Sequence, residues 1–397
     1  MVLLNTVQKD RNKDIDKTKN HNRRAWWQRF YANLQLDPAV LRPKIDNAKD
    51  RKTKHYYIGV LITRDILLVA FAIAFVGTLS VLFGQENSAL AVVLFCMLIS
   101  IRFVNFGYKA SHSILTLAIV LLVLLISPSV MQAVHPLWGL LINFVSIMII
   151  LLTTTDRPEM GNAGLYMFGY AFLTGNSYIT LTDGGVQFNT FEFQQRALMT
   201  LVGFVILSTV LIMKHRKKNR DRSLLDVLKA FDIHSDKAQW QLQIAICMSL
   251  LFCLDMILHY EFNIDIIRFM WVGFACSSMV TAWPPEINAK FKDRAAGVMI
   301  GSILYTGVAY LIPDSMLWLL GPTSGLMLGL TGNYRAKTIA NCFGGLMMAT
   351  TIYGVKESVE VRIINNIAGL ILGALFFYAF QWLFTHIRRY LKQHNVR

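Results

Sequence analysis

Apolar residues in this chain come in long unbroken runs parted by short polar segments, without the alternation of half-buried elements. A run of about 20 such residues crosses the hydrocarbon of a bilayer as a helix. The runs predict membrane helices at Tyr57–Phe83, Ser88–Ile101, His112–Ile126, Leu137–Leu152, Gly164–Thr174 and Arg196–Met213. A second six follow at Gln241–Leu258, Ile264–Ala282, Ala295–Ile312, Met316–Leu330, Ala336–Tyr353 and Ile363–His386. The pattern therefore predicts an all-α polytopic membrane protein of about twelve transmembrane helices. Its fifth span is the shortest and is rich in glycine.

Composition agrees: 54% of the 397 residues are hydrophobic and 16% charged, against roughly 25% charged in soluble domains. The net charge of +15 would point to nucleic acid in a soluble chain, but here topology explains it. Residues 1–56 hold 14 Lys and Arg against six acids, and Lys214–Ala238 holds eight against four. The tail after Thr385 adds four more basic residues, while loops of the opposite parity carry Glu86, Asp183, Glu192, Glu261 and Asp314. Basic loops resist translocation, so both termini are expected in the cytoplasm of a bacterial inner membrane. One loop on that side, Asp156–Glu159, is acidic instead. The five cysteines (Cys96, Cys247, Cys253, Cys276, Cys342) all fall inside apolar runs with no CxxC spacing, so they read as buried thiols and not as a metal site.

Residues 1–55 lack the apolar core of a cleavable signal. Within them Trp26, Trp27, Phe30 and Tyr31 lie among Arg23, Arg24 and Arg29. At helical spacing they share a face, which predicts either a helix lying on the inner leaflet or one packed against cytoplasmic loops.

The two halves also resemble each other. Arg196 precedes Gly203 by seven positions, as Arg362 precedes Gly369, and each span then runs into a basic cluster. Phe106-x-x-Lys109 introduces the third span of one half and Phe291-x-x-Arg294 that of the other, with Pro128-…-Leu137-Trp138 and Pro313-…-Leu317-Trp318 following. Six is even, so the second copy starts on the same side and the repeats are parallel. The expected layout is a cytoplasmic segment (1–55), a first repeat (56–213), a basic linker (214–238), a second repeat (239–386) and a tail (387–397). In the linker, Leu224, Leu225, Leu228 and Phe231 predict one short amphipathic helix.

Ionisable groups inside spans are candidates for function. Asp255 is flanked by apolar residues near the outer end of the seventh span and reads as a proton-accepting or cation-pairing carboxylate, or as a residue reaching interfacial water. Asp265 and Arg268, three apart, share a helix face and are expected to pair with each other, or else to contact substrate. Arg196 and Arg362 at outer ends, with Lys109 and Arg294 at inner ends, either draw an anion inward or snorkel to headgroups. Trp283-Pro284-Pro285, Gly344-Gly345 and the turn Gly321-Pro322-Thr323-Ser324-Gly325 are compatible with broken or closely packed helices. At that turn Thr323 and Ser324 would offer hydroxyls. Gly297-x-x-x-Gly301 fits helix packing. No HExxH, GxSxG or Walker loop occurs, so neither catalysis, a cofactor nor ATP energisation is indicated.

The stretch Trp271-Val-Gly-Phe through Trp283-Pro-Pro and Phe291-Lys-Asp-Arg294-Ala-Ala-Gly297-Val-Met-Ile-Gly301 resembles the fusaric acid resistance and aromatic acid exporter superfamily, related to plant malate channels. Val298 stands where that family usually has Thr, and the large cytoplasmic domain of many members is reduced to Lys214–Ala238. The resemblance implies proton-coupled export of small organic anions such as aromatic carboxylates. A scaffold protein of cell-envelope assembly and a lipid-phosphate translocator are the alternatives. Membrane lipids are expected partners, and glycine faces make a homodimer plausible.

Overall fold

The computed structural model describes residues 26–157, 162–182, 185–264, 268–282 and 287–394. A short helix α1 (26–34) and α2 (Pro38–Asp46) precede a bundle. Its first half contains α3 (Arg51–Phe83), α4 (Ser88–Ile101), α5 (Ala110–Val130), α6 (Pro136–Thr154), α7 (Asn162–Thr174) and α8 (Thr190–His215). After α9 (Leu224–Lys229) come α10 (Asp236–Phe262), α11 (Met270–Val280), α12 (Ile287–Leu311), α13 (Leu320–Leu330), α14 (Tyr334–Tyr353) and α15 (Val355–His394). Each of the twelve expected runs contains a helix, the eighth only over Met270–Val280, but only seven helices among the described residues are long and apolar enough to cross a bilayer: α3, α5, α6, α8, α10, α12 and α15.

The shorter ones have a physical reason. α11, with 11 residues, is about 16 Å long, half the hydrocarbon thickness. Nine of those residues are buried by protein, and a helix shielded from lipid need not span it. α7 is buried in the same way. By contrast α3 and α15 turn Ile66, Leu67, Phe71, Ile371 and Leu375 outward, as a lipid-facing belt does. The expected tenth span is divided: Asp314–Leu319 is a 3-10 turn, and α13 begins only at Leu320. The expected Gly321–Gly325 turn lies inside α13, and α14 runs unbroken through Gly344-Gly345. Trp283-Pro284-Pro285 lies outside the described residues.

The largest core cluster joins α4, α5, α7, α8, α10 and α11. The halves meet where α6 packs on α10, α7 on α11 and α3 on α13. Phe168 and Phe274 stack with centroids 4.9 Å apart, and Gly273 lies against Ala171. Glycine permits the closest approaches. A Cβ on Gly369 of α15 would meet the Val272 carbonyl and Ala275 of α11, and one on Gly297 of α12 would meet Thr338 of α14. Gly369→Val should therefore push α15 off α11 and lower stability by about 1–3 kcal/mol, read as a fall in the thermal midpoint of the purified protein.

Two features depart from the expected pattern. Strands β1 (Ile179–Thr182) and β2 (Gly185–Phe188) pair antiparallel between α7 and α8, an addition to an otherwise helical fold. Alternating β-branched residues around Asp183-Gly184 are a hairpin signal within a segment expected as loop. In the linker α9 forms as expected, capped reciprocally by Ser223 and Asp226. It buries Leu224 and Val227, however, and leaves Leu225, Leu228 and Phe231 exposed. The acidic Asp156 is explained by the same linker: Arg222 and Lys237 both pair with it.

α1 divides its aromatic face. Phe30 turns onto Tyr56 and the small core of Leu41, Val60 and Leu61, whereas Trp26, Trp27 and Tyr31 stay exposed. This end of the bundle, with α1, α2 and α9, is the basic end; the opposite one is the hairpin end.

Candidate functional site

Three of the expected cations, Arg196, Arg294 and Arg362, lie on helices and Arg268 just before α11, and the structure separates them sharply. Arg196 on α8 is 1% exposed and fully engaged. Its Nε donates to Asn87 Oδ1 at 2.7 Å, Nη1 to the Asn176 carbonyl at 2.8 Å and Nη2 to Glu192, one turn earlier, at 2.7 Å. The guanidinium also lies over the Tyr178 ring at 5.2 Å. Burial pushes the Tyr178 phenol up, opposed by Arg196, so the ring stays neutral and the contact is cation–π. Arg196 is thus a neutralised brace tying α8, α4 and the hairpin together.

Arg362 on α15 occupies the corresponding place with a different environment. One turn earlier stands Ser358, where Arg196 has Glu192. Arg362 is 5% exposed and lies over the Trp271 ring at 5.0 Å. Its Nη2 donates to the Asn341 carbonyl at 3.3 Å, and its Nη1 rests on Gly345, where a Cβ would collide. Neither its buried Nε nor the buried Ser358 hydroxyl has a hydrogen-bond partner.

Two further guanidiniums adjoin it. Asn366 of α15 donates to the Arg362 carbonyl and accepts from Arg294 Nη2 of α12 at 3.3 Å. Arg294 also reaches the Tyr334 hydroxyl at 3.2 Å. Toward the hairpin end, Asn365 donates to the Arg268 carbonyl at 3.3 Å, and the Arg268 guanidinium lies over Tyr353 at 5.4 Å. Arg268 has φ +57°, a left-handed conformation that costs a non-glycine residue roughly 1–2 kcal/mol. Asn365 and the Trp271 amide hold it there through its carbonyl. Buried Nε atoms of Arg268, Arg294 and Arg362 all lack a partner, and no described carboxylate forms an ion pair with any of the three. A file of cations with unused donors thus runs through α11, α12, α14 and α15.

At the hairpin end this file opens on a cavity of about 460 Å³ between the halves, a size suited to a small molecule. Gln132, Asn176 and Thr180 supply polar wall, and Phe252, Tyr260, Phe269 and Tyr353 supply rings beside Arg268. Asp255 is half-buried on the same wall, with His259 one turn further on. Asp255 is the one carboxylate among the described lining residues. Asp265, expected to pair with Arg268, lies outside the described residues.

The remaining expected residues sit elsewhere. Lys109 precedes α5 at the basic end, its amide bonded to the Arg222 carbonyl of the linker. Thr323 donates to the Leu319 carbonyl in its own helix segment, and Ser324 donates across to the Ala340 carbonyl of α14. Both hydroxyl protons are therefore spent on backbone. Sequence reasoning passed over Asn365, Asn366 and Ser358. The signal available was helical position: Asn365 and Asn366 fall one turn after Arg362, and Ser358 one turn before it.

Residues 244–376 match the family model described as fusaric acid resistance protein-like. The matched segment contains Arg268, Arg294 and Arg362 and excludes Arg196 and Lys109. No curated protein and no solved structure matches the chain.

Proposed function

We propose, from a chain whose residues 244–376 match the fusaric acid resistance protein-like family of membrane transporters, that it exports small organic anions, aromatic carboxylates first among them, at the expense of the proton gradient. The observation that carries this reading is the file Arg268, Arg362 and Arg294 within the matched segment, with buried Nε donors unused and no described carboxylate paired with any of the three. Cations that lack acids inside a bilayer are costly unless an anion compensates them. A guanidinium fork matches a carboxylate bidentately, and the rings around Arg268 and Arg362 offer stacking faces to a planar acid.

In this reading the twelve helices form two parallel repeats. The reciprocal packing of α10 on α6 and of α3 on α13 supports a two-fold relation, because the first helix of each half leans on the fourth of the other. The basic end lies in the cytoplasm, with Trp26, Trp27 and Tyr31 in the inner-leaflet headgroups. The cavity then faces outward as the exit.

Binding tests the proposal without any assumption about direction. Aromatic carboxylates at about 100 times Kd should stabilise the purified protein by roughly 2.7 kcal/mol, seen as a raised thermal midpoint. Arg268→Gln should abolish that shift. Stabilisation by neither aromatic nor aliphatic acids, with wild-type fold, would sink the reading. Asp255→Asn, which removes the negative charge from the cavity wall, should tighten anion binding a few-fold, measured by the same titration; weaker binding would remove Asp255 from the anion's approach.

A further inference from the structure

Among the described residues, one buried carboxylate lies outside the cation file. Asp65 of α3 is 1% exposed, and neither carboxyl oxygen has a hydrogen-bond partner. It sits in a notch on α13: a Cβ on Gly329 would fall inside the Asp65 carboxyl, and one on Gly325, a turn away, would meet Val69 of α3. Gly321, Gly325 and Gly329 recur every fourth residue, so α13 offers a glycine groove into which α3 lays its polar residue. This is also one of the seams between the halves.

Among the described residues none forms an ion pair with the carboxyl, and Arg64 acts on it only as a nearby charge. α13 contains no titratable residue, and α4 brings only the Cys96 thiol. From α2, Arg42 is bonded to the Leu330 carbonyl and Lys44 lies over Tyr57, while Asp46 is exposed. His215 of α8 is held by the Ile101 carbonyl through Nε2. Arg64 is next in sequence, but it lines a separate recess with Gln35 and Arg102. A carboxylate buried with neither a cation nor a donor is strongly unfavourable, whereas a neutral acid can occupy such a site.

We propose that Asp65 is a proton-binding site that governs the α3–α13 seam: with the proton bound the seam closes on Gly329, and release of the proton drives α3 and α13 apart to let water reach the carboxylate. The proton is the ligand, the carboxyl its acceptor, and the glycine groove the element with two arrangements. The seam alone supports the proton site. Its part in transport rests on the function proposed above, in which proton entry here would be the energising step.

A hydrophobic carbodiimide, which reacts with protonated carboxyls in apolar surroundings, reads this directly on the wild-type chain in lipid vesicles. Asp65 should be labelled at about pH 5 and the labelling should fall at least tenfold by about pH 9. No labelling, or labelling indifferent to pH, overturns the proposal. Asp65→Asn, near in shape to the neutral acid, should keep anion exchange within about twofold of wild type while gradient-driven flux falls at least tenfold. Gradient dependence equal to wild type in that variant would also overturn it. If the wild-type chain moves no anion at all, the transport reading fails, and the labelling still decides the proton site.

Discussion

Arg362→Gln should lower apparent affinity for an organic anion by about 10- to 100-fold while leaving the fold intact. A charge-assisted hydrogen bond to a bound carboxylate is worth roughly 1.5–3 kcal/mol, and each 1.4 kcal/mol is a factor of ten. The fold is expected to survive because Arg362 has a single weak hydrogen bond of 3.3 Å and no described acid that would be left behind. Removing it relieves a buried charge that no described acid pairs with, and forfeits that weak bond and its stack on Trp271, the stack worth about 0.5–2 kcal/mol. Lys at this position should restore little, since it lacks the planar fork. Titrated binding with a thermal midpoint within a few degrees of wild type is the expected pair of results.

Arg196→Ala should do the opposite, costing about 3–5 kcal/mol of stability, because it strands Glu192 and leaves Asn87 Oδ1 and the Asn176 carbonyl without their donor. Chemical denaturation in detergent micelles measures this. The double change Arg196→Ala with Glu192→Gln should recover part of the loss, as expected for residues that share one interaction. If Arg196→Ala instead unfolds at the wild-type midpoint and loses anion binding, the assignment of brace and binding site to the two halves is reversed.

The contrast between these arginines shows what the sequence makes legible. Both appear there as span-opening Arg residues seven positions before a glycine, and as such they look alike. What separates them is the residue one helical turn earlier, Glu192 or Ser358, a local difference written in the chain itself. The partners that complete each site are not local. Asn87 and Tyr178 reach Arg196, and Trp271 and Asn341 reach Arg362, only through packing of distant helices.

The fold divides in a similar way. Lipid requires length and apolarity, so α3, α5, α8, α10, α12 and α15 announce themselves as long runs. α7 and α11 face protein and are freed from that requirement; α7 reads weakly for that reason, while the run Ile264–Ala282 looks like a full span although its helix covers only Met270–Val280. The glycines were legible as small residues but not as groove, notch or seat. Gly345 seats Arg362 and Gly329 accepts Asp65, and both roles depend on which helix lies opposite. Asp65 was passed over inside the first apolar run, because its setting depends on which helix lies opposite, and the helix points it and Arg64 to different neighbours.

The central claim is that an anion moves past the Arg268, Arg362 and Arg294 file. Its most direct test is flux through the full chain in proteoliposomes under an imposed pH gradient, comparing an aromatic carboxylate with its uncharged amide. The carboxylate should cross at a rate well above that of protein-free vesicles, the amide should not, and Arg362→Gln should reduce the carboxylate to the amide's level. Equal rates for acid and amide, or acid flux unchanged in Arg362→Gln, would contradict it.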